Sequence, residues 1–140
     1  MRQKPNKEKA LMLLSELLGQ YREYLQTAKP LSRPTILNYL CRVSRYTESL
    51  GASATLADMT RASIIRYVNR VGTTSARAVR MHYAAIRHFC RWLLSEQWIR
   101  QSPADNIPLP KVTSRRRDTV PDDVIVRLMD ACDKLPRSPY

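Results

Sequence analysis

The arginine side chains between residues 77 and 91 recur at a spacing that suits phosphate binding. Arg80, Arg87 and Arg91 follow Arg77 by 3, 10 and 14 residues, so on an α-helix they share one face about 20 Å long. Ala84 fills the position between them, where its small side chain lets another backbone come close. Four arginines without a glutamate four residues away repel one another by about a few tenths of a kcal/mol per pair. Phosphates would offset that repulsion, so this face predicts a polyanionic ligand; a solvated face with an accidental arginine bias is the alternative.

A second polar face lies in the segment that begins near Arg33. Thr35, Asn38, Arg42 and Arg45 fall on one side of the expected helix, and no apolar or acidic side chain lies among them. Asparagine and threonine can hydrogen-bond to base edges, whereas arginine binds phosphate or guanine. This face therefore predicts contacts with nucleic-acid bases as well as with the backbone.

The charge of the chain is strongly uneven. Its 24 Lys and Arg against 12 Asp and Glu give a net charge of +12. Residues 1–117 hold 21 basic and 7 acidic side chains, a net +14, whereas residues 118–140 hold 3 and 5, a net −2. A basic body favours double-stranded DNA, because neutralising phosphates releases counterions and supplies affinity for any sequence; a merely soluble basic surface is the alternative. The candidate DNA-binding residues are Arg33, Thr35, Asn38, Arg42, Arg45, Thr74, Ser75, Arg77, Arg80, Arg87, Arg91, Lys111, Arg115, Arg116 and Arg117.

No set of catalytic or metal-binding residues is recognisable. The sequence contains no Gly-rich phosphate loop, no Gly-x-Ser-x-Gly and no His-Glu-x-x-His. His82 and His88 are six residues apart, on different helix faces, and no Cys-x-x-Cys is present, so a zinc site is not expected. Asp58 and Asp105 have no evident partner, and Tyr140 has no base near it in the sequence. We expect no catalytic residue, no metal and no cofactor.

The cysteines and the hydropathy pattern bear on the compartment. Cys41, Cys90 and Cys132 are odd in number and widely spaced, which is typical of small apolar residues in a reducing compartment. No apolar run approaches the ~18 residues that a membrane span requires. We therefore expect a cytoplasmic protein without a membrane partner.

The periodicity predicts an all-α chain, since only three glycines occur and alternating strand patterns are absent. The first expected helix carries an apolar stripe from Leu11 to Leu25, interrupted by Gly19, which costs about 1 kcal/mol relative to alanine. The five expected helices cover about residues 7–27, 33–50, 60–71, 74–96 and 121–135.

Between the fourth and fifth helices, the proline-rich residues 102–111 cannot be helical and predict a semi-rigid extended strap. A flexible basic linker follows it. The last helix has acidic residues in its first turn, as the helix dipole favours, and an apolar stripe formed by Val124, Leu128 and Cys132.

Several short patterns follow one another in a recognisable order. They are Thr35-x3-Tyr39-x3-Val43-x2-Tyr46-x3-Leu50, then Asp58-Met59-Thr60 with Ile64 and Tyr67-Val68, then the run from Ala85 to Leu93, then Trp98-Ile99, Ser102-Pro103-Ala104, Pro110-Lys111 and Val120-Pro121-Asp122-Asp123-Val124. Each pattern alone is weakly specific. Taken together, their order and spacing resemble the N-terminal core-binding, SAM-like domain of tyrosine recombinases of the phage integrase class.

The resemblance implies an all-α, four-helix SAM-like core-binding bundle in residues 1–110, a basic interdomain linker in residues 111–118, and the start of a truncated catalytic domain in residues 119–140. In that family the bundle forms half of a C-shaped clamp, and its second and fourth helices approach the major groove. The family's catalytic residues would all lie beyond Tyr140, so this chain is expected to position a recombinase on its site for site-specific recombination or integration, not to catalyse. Other recombinase protomers are the expected protein partners, and the expected source is prokaryotic or phage-encoded, with the protein at the nucleoid.

Two other functions remain open at this point. A free-standing regulator could compete for the same DNA sites. A helical interaction module or RNA-binding protein is less favoured, because no exposed aromatic set has stacking spacing.

Overall fold

The computed structural model describes residues 7–27, 30–72, 75–111 and 120–134, and within these ranges the chain is helical without a β-strand. This confirms the all-α prediction. A single 3-10 turn at Leu56–Asp58 interrupts the connection between the third and fourth helices. The helices are α1 (Lys7–Ala10), α2 (Leu14–Thr27), α3 (Arg33–Leu50), α4 (Arg61–Val71), α5 (Ala76–Ser95) and α6 (Asp122–Asp133).

Local signals in the sequence set the ends of α3, α4 and α5. Pro34 lies in the first turn of α3, and Gly51 ends that helix with φ of 119°, a conformation that glycine adopts without strain. The hydroxyl of Thr60 accepts a hydrogen bond from the backbone N–H of Ser63 at the start of α4. Ser75 caps α5 in the same way. The predicted bounds of these three helices agree with the structure to within two residues.

Helix α5 lies at the centre of the hydrophobic core. Its stripe from Val79 to Leu93 is buried and packs against both α3 and α4, while Tyr21 of α2 contacts Phe89 edge-on with ring centroids 5.0 Å apart. A buried hydrogen bond joins the hydroxyls of Tyr46 and Ser63 across α3 and α4. One face of α5 is thereby enclosed by its neighbours.

The first predicted helix is broken near its start, and the break is not at Gly19. Residues 11–13 leave the helical path because the backbone N–H of Leu14 donates to the Ala54 carbonyl and that of Leu56 donates to the Met12 carbonyl. Leu11 was predicted to lie in the apolar stripe but is 70% exposed. Contacts distant in sequence therefore override the local helical periodicity here.

One further sequence-based interpretation is wrong. Asp58 has a partner, since its carboxylate accepts hydrogen bonds from the backbone N–H and the hydroxyl of Thr55. Among the cysteines, Cys41 is exposed on α3. Cys90, by contrast, is fully buried, as expected for a small apolar residue.

The proline-rich residues 102–110, which we call the strap, run back along α5. The side chains of Ala104 and Ile107 are buried, and the hydroxyl of Tyr83 donates to the Ala104 carbonyl at 2.6 Å. Arg61 of α4 donates to two further strap carbonyls, those of residues 105 and 106. The strap is non-helical, as predicted, although residues 103–106 form turns instead of an extended chain, and it is fixed to the bundle at several points.

Helix α6 differs from the others because all of its side chains are exposed. The predicted stripe through Val124, Leu128 and Cys132 therefore does not belong to the hydrophobic core of the described part of the chain. None of the described helices combines the length and apolar character that crossing a membrane would require.

The hydrogen bond between Tyr83 and the strap makes a testable contribution to stability. In Tyr83→Phe the buried Ala104 carbonyl loses its donor, which costs about 1–3 kcal/mol, and each kcal/mol lowers the melting temperature by about 4–8 °C for a domain of this size. Thermal unfolding followed by circular dichroism measures the change. Tyr24→Phe is the control, because the half-buried Tyr24 has no hydroxyl hydrogen bond within the described residues; equal melting temperatures for both variants would contradict this account of the strap.

Candidate nucleic-acid interface

The two predicted polar faces join into one surface. Helices α3 and α5 pack side by side, and the guanidinium of Arg42 reaches across to the sulfur of Met81 at 3.8 Å. At a second contact between the same two helices, the ring of Tyr39 on α3 stacks on that of His88 on α5. The structure therefore brings together two faces that the sequence predicted separately.

On α3, the candidate residues differ in their exposure, their hydrogen bonds and their location. Asn38 and Arg45 are exposed, and Arg42 is partly exposed with one guanidinium N–H donating to the Asn38 carbonyl. The hydroxyl of Thr35 is hydrogen-bonded to that of Ser32. Arg33 lies apart from the others, because it lines a different groove, between α2 and α3.

On α5, three of the four predicted arginines surround a groove of about 390 Å³. Arg80, Arg87 and Arg91 line it together with Ala84, which has a small side chain. Arg77 is exposed nearer the start of the helix and does not line the groove.

No carboxylate within the described ranges forms an ion pair with the three groove arginines. The Arg80 guanidinium donates through Nε to the Pro110 carbonyl of the strap at 3.4 Å. The groove is therefore an unneutralised basic concavity, as an anion-binding surface requires.

The remaining candidates divide into two groups. Ser75 is the N-cap of α5, and its hydroxyl accepts a hydrogen bond from the Ala78 N–H, so it has a structural role. Lys111 is exposed directly after the strap. Thr74, Arg115, Arg116 and Arg117 lie outside the residues that the structure describes.

Two residues of the groove were not among the candidates. Tyr39 and His88 line it, although Tyr39 also shares the apolar side of α3 with Val43 and Tyr46, which follow it by four and seven residues. The spacing in α5 does contain a signal for His88, since it follows Ala84 by four residues and precedes Arg91 by three, which places all three on one helix face.

His82, on α5, is partly buried next to α3 and α4. Its Nδ1 is 3.0 Å from the hydroxyl of Tyr67. Partial burial lowers the pKa of His82, and the positive charges of Arg42 and Arg45 lower it further. The α3 arginines thus create a positive potential that reaches a neighbouring helix. Among the described residues, no cluster of three His, Cys, Asp or Glu side chains could hold a metal ion.

The comparisons with known proteins identify the fold and the family. A family model for the phage integrase N-terminal SAM-like domain matches residues 18–97, more than half of the chain. The chain therefore belongs to this family, whose matched region contains most of α2 and all of α3, α4 and α5.

The curated relatives are tyrosine recombinases. The tyrosine recombinase XerC of Myxococcus xanthus is 28% identical over 123 residues, which cover 86% of this chain and 41% of the relative. The XerC of Myxococcus xanthus strain DK1622 matches with the same values. The chain thus spans less than half the length of these relatives.

Solved structures show the same helical arrangement. A lambda integrase(75-356) dimer bound to a COC′ core site superimposes with a TM-score of 0.70 at 19% identity, over 89% of this chain and 45% of the integrase chain. A second lambda integrase dimer bound to a COC′ core site gives a TM-score of 0.72 at 18% identity, over 97% and 39%. These likenesses confirm the SAM-like fold that the sequence predicted.

The environment of His82 gives a testable pH dependence. We expect the pKa of His82 to lie below its ordinary value of 6.5, so that the folded protein binds fewer protons than the unfolded chain and this group destabilises the protein as the pH falls below 6.5. Replacing Arg42 by Gln removes one repelling charge and raises the pKa. Proton NMR titration of the imidazole ring measures both values.

Arg22→Gln, on α2, is the matched control and leaves the His82 titration unchanged. A His82 pKa at or above 6.5 in the unaltered protein, or an equal response to the two substitutions, would contradict the assigned cause.

Proposed function

We propose that this chain is the DNA-binding domain of a site-specific tyrosine recombinase and that it binds duplex DNA with the joined surface of α3 and α5. The observation that carries the proposal is the groove lined by Arg80, Arg87 and Arg91, which contains no compensating carboxylate. Family membership supports it, because the curated relatives are tyrosine recombinases and the lambda integrase dimers with this fold are bound to a COC′ core site.

The two helices have different roles in this proposal. The arginines of α5 bind backbone phosphates and fix the position of the domain, since they are long, cationic and gathered around a concave surface. Asn38, exposed on α3, can hydrogen-bond to base edges in the major groove, where asparagine pairs with adenine. Arg42 and Arg45 extend the phosphate contacts along α3.

We further propose the domain organisation inferred from the sequence: a DNA-binding domain in residues 1–110, a linker in residues 111–118 and the start of a catalytic domain in residues 119–140. The family match ends at residue 97, and the exposure of every α6 side chain supports assigning α6 to a separate unit. In this organisation the domain in residues 1–110 binds nucleoid DNA in the cytoplasm together with other recombinase protomers.

A double substitution on α5 tests the DNA-binding proposal. Arg87→Ala with Arg91→Ala removes two phosphate contacts, so the slope of log K against log salt falls by about 2, at ~0.9 per contact. We expect binding to a labelled DNA duplex to weaken at least tenfold at moderate salt. Fluorescence anisotropy titrations at several salt concentrations measure both quantities.

The matched control is Arg22→Ala with Arg66→Ala, which removes the same charge from exposed positions on α2 and α4. Its affinity stays within about twofold of the unaltered protein, because distant surface charges are screened. Equal losses in the two variants would show that only net charge matters, and no loss in either would refute the proposed interface. Tighter binding of RNA than of duplex DNA would also refute it.

A further inference from the structure

Tyr39 lies where an additional contact to DNA could form. Its side chain is partly buried and lines the basic groove beside Arg80, Arg87 and Arg91. The ring stacks on the imidazole of His88, with centroids 4.9 Å apart and planes inclined by 9°. This tyrosine therefore belongs to the border between core and groove, where its aromatic body is packed and its polar end can meet a ligand.

The imidazole of His88 also contacts α2. The hydroxyl of Tyr21 lies 2.7 Å from Nδ1 of His88, and Tyr21 is completely buried. Burial raises the pKa of Tyr21 well above its ordinary value, so its hydroxyl stays protonated throughout the physiological range. The three rings form an array that runs from the core to the groove in the order Tyr21, His88, Tyr39.

The Tyr39 hydroxyl is not used by the fold as far as the structure describes it. It makes no hydrogen bond with any described residue. Every buried side-chain oxygen or nitrogen among the described residues has a hydrogen-bond partner, so a hydroxyl without a partner is not buried. The hydroxyl is therefore accessible to solvent. A tyrosine that lines the same groove as three arginines is suited to donate its O–H to a phosphate oxygen that those arginines attract.

We propose that Tyr39 binds DNA directly, its hydroxyl donating a hydrogen bond to a backbone phosphate, and that Tyr21 and His88 are positioning residues for its ring. The inference rests on the proposed DNA-binding function and adds a neutral contact to the cationic ones. Because stacking fixes the ring before DNA arrives, little side-chain freedom is lost on binding.

The salt dependence of binding separates this contact from the arginine contacts. Tyr39→Phe removes the hydroxyl but keeps the stacked ring, and a hydrogen bond to a charged group is worth about tenfold in Kd. The hydroxyl is neutral and releases no counterion, so the slope of log K against log salt remains that of the unaltered protein. Anisotropy titrations with the same duplex measure both, and thermal unfolding verifies that the variant is folded.

A double-mutant cycle tests the positioning role of Tyr21. We expect Tyr21→Phe to weaken DNA binding several-fold in the unaltered protein and to have no further effect in the Tyr39→Phe background, because it acts only through the Tyr39 hydroxyl. A purely structural effect of Tyr21 would weaken both proteins equally. Tyr24→Phe, a tyrosine on the same helix that does not line the groove, is the control and leaves Kd unchanged.

The possible outcomes are distinguishable. If Arg87→Ala with Arg91→Ala weakens binding while Tyr39→Phe does not, the inference is wrong and the proposed function stands. If Tyr39→Phe changes the salt slope, the hydroxyl does not make the neutral contact proposed. Additive effects of Tyr21→Phe and Tyr39→Phe overturn the positioning role alone, and the absence of DNA binding by the unaltered protein overturns both proposals.

Discussion

The fold depends on how much of α5 must be buried. This helix packs against α3, α4 and the strap, and its apolar stripe includes residues without any exposure, such as Ile86 and Phe89. Hydrophobic burial on this scale fixes the rotation of a helix about its own axis, because turning it would expose several large side chains. Only a narrow strip of α5 remains at the surface, and the arginines of α5 lie on that strip.

Much of this arrangement was predictable because the signals are local. The ends of α3 and α4 follow from Pro34, Gly51 and Thr60, each acting within one turn of its own helix. The interruption before Leu14 was not predictable in this way, since it arises from backbone hydrogen bonds to residues about forty positions later. Periodicity describes a helix in isolation and contains no information about a competing backbone partner elsewhere in the chain.

The candidate site shows the same contrast between local signals, which the sequence contains, and contacts between distant segments, which it does not. Charged faces on single helices are visible in the sequence, and both α3 and α5 were identified from spacing alone. What spacing could not supply is the contact between the helices, which places Tyr39 against His88 at the edge of the groove. A residue at the boundary of an apolar stripe is assigned to the core by periodicity, whereas the neighbouring helix decides whether its polar end reaches the surface.

The strap covers Cys90, so the rate at which the Cys90 thiol is alkylated reports opening of the domain. The thiol is buried, which raises its pKa to about 12 even though Ser102 and the backbone of Ala104 hydrogen-bond to it. Thiolate is the reactive form of cysteine, so an alkylating reagent can modify Cys90 only in molecules in which the packing around it, including the strap, has opened. The exposed Cys41 reports the unprotected rate in the same molecule. The ratio of the two rates is therefore a measure of the local opening equilibrium at the end of the bundle.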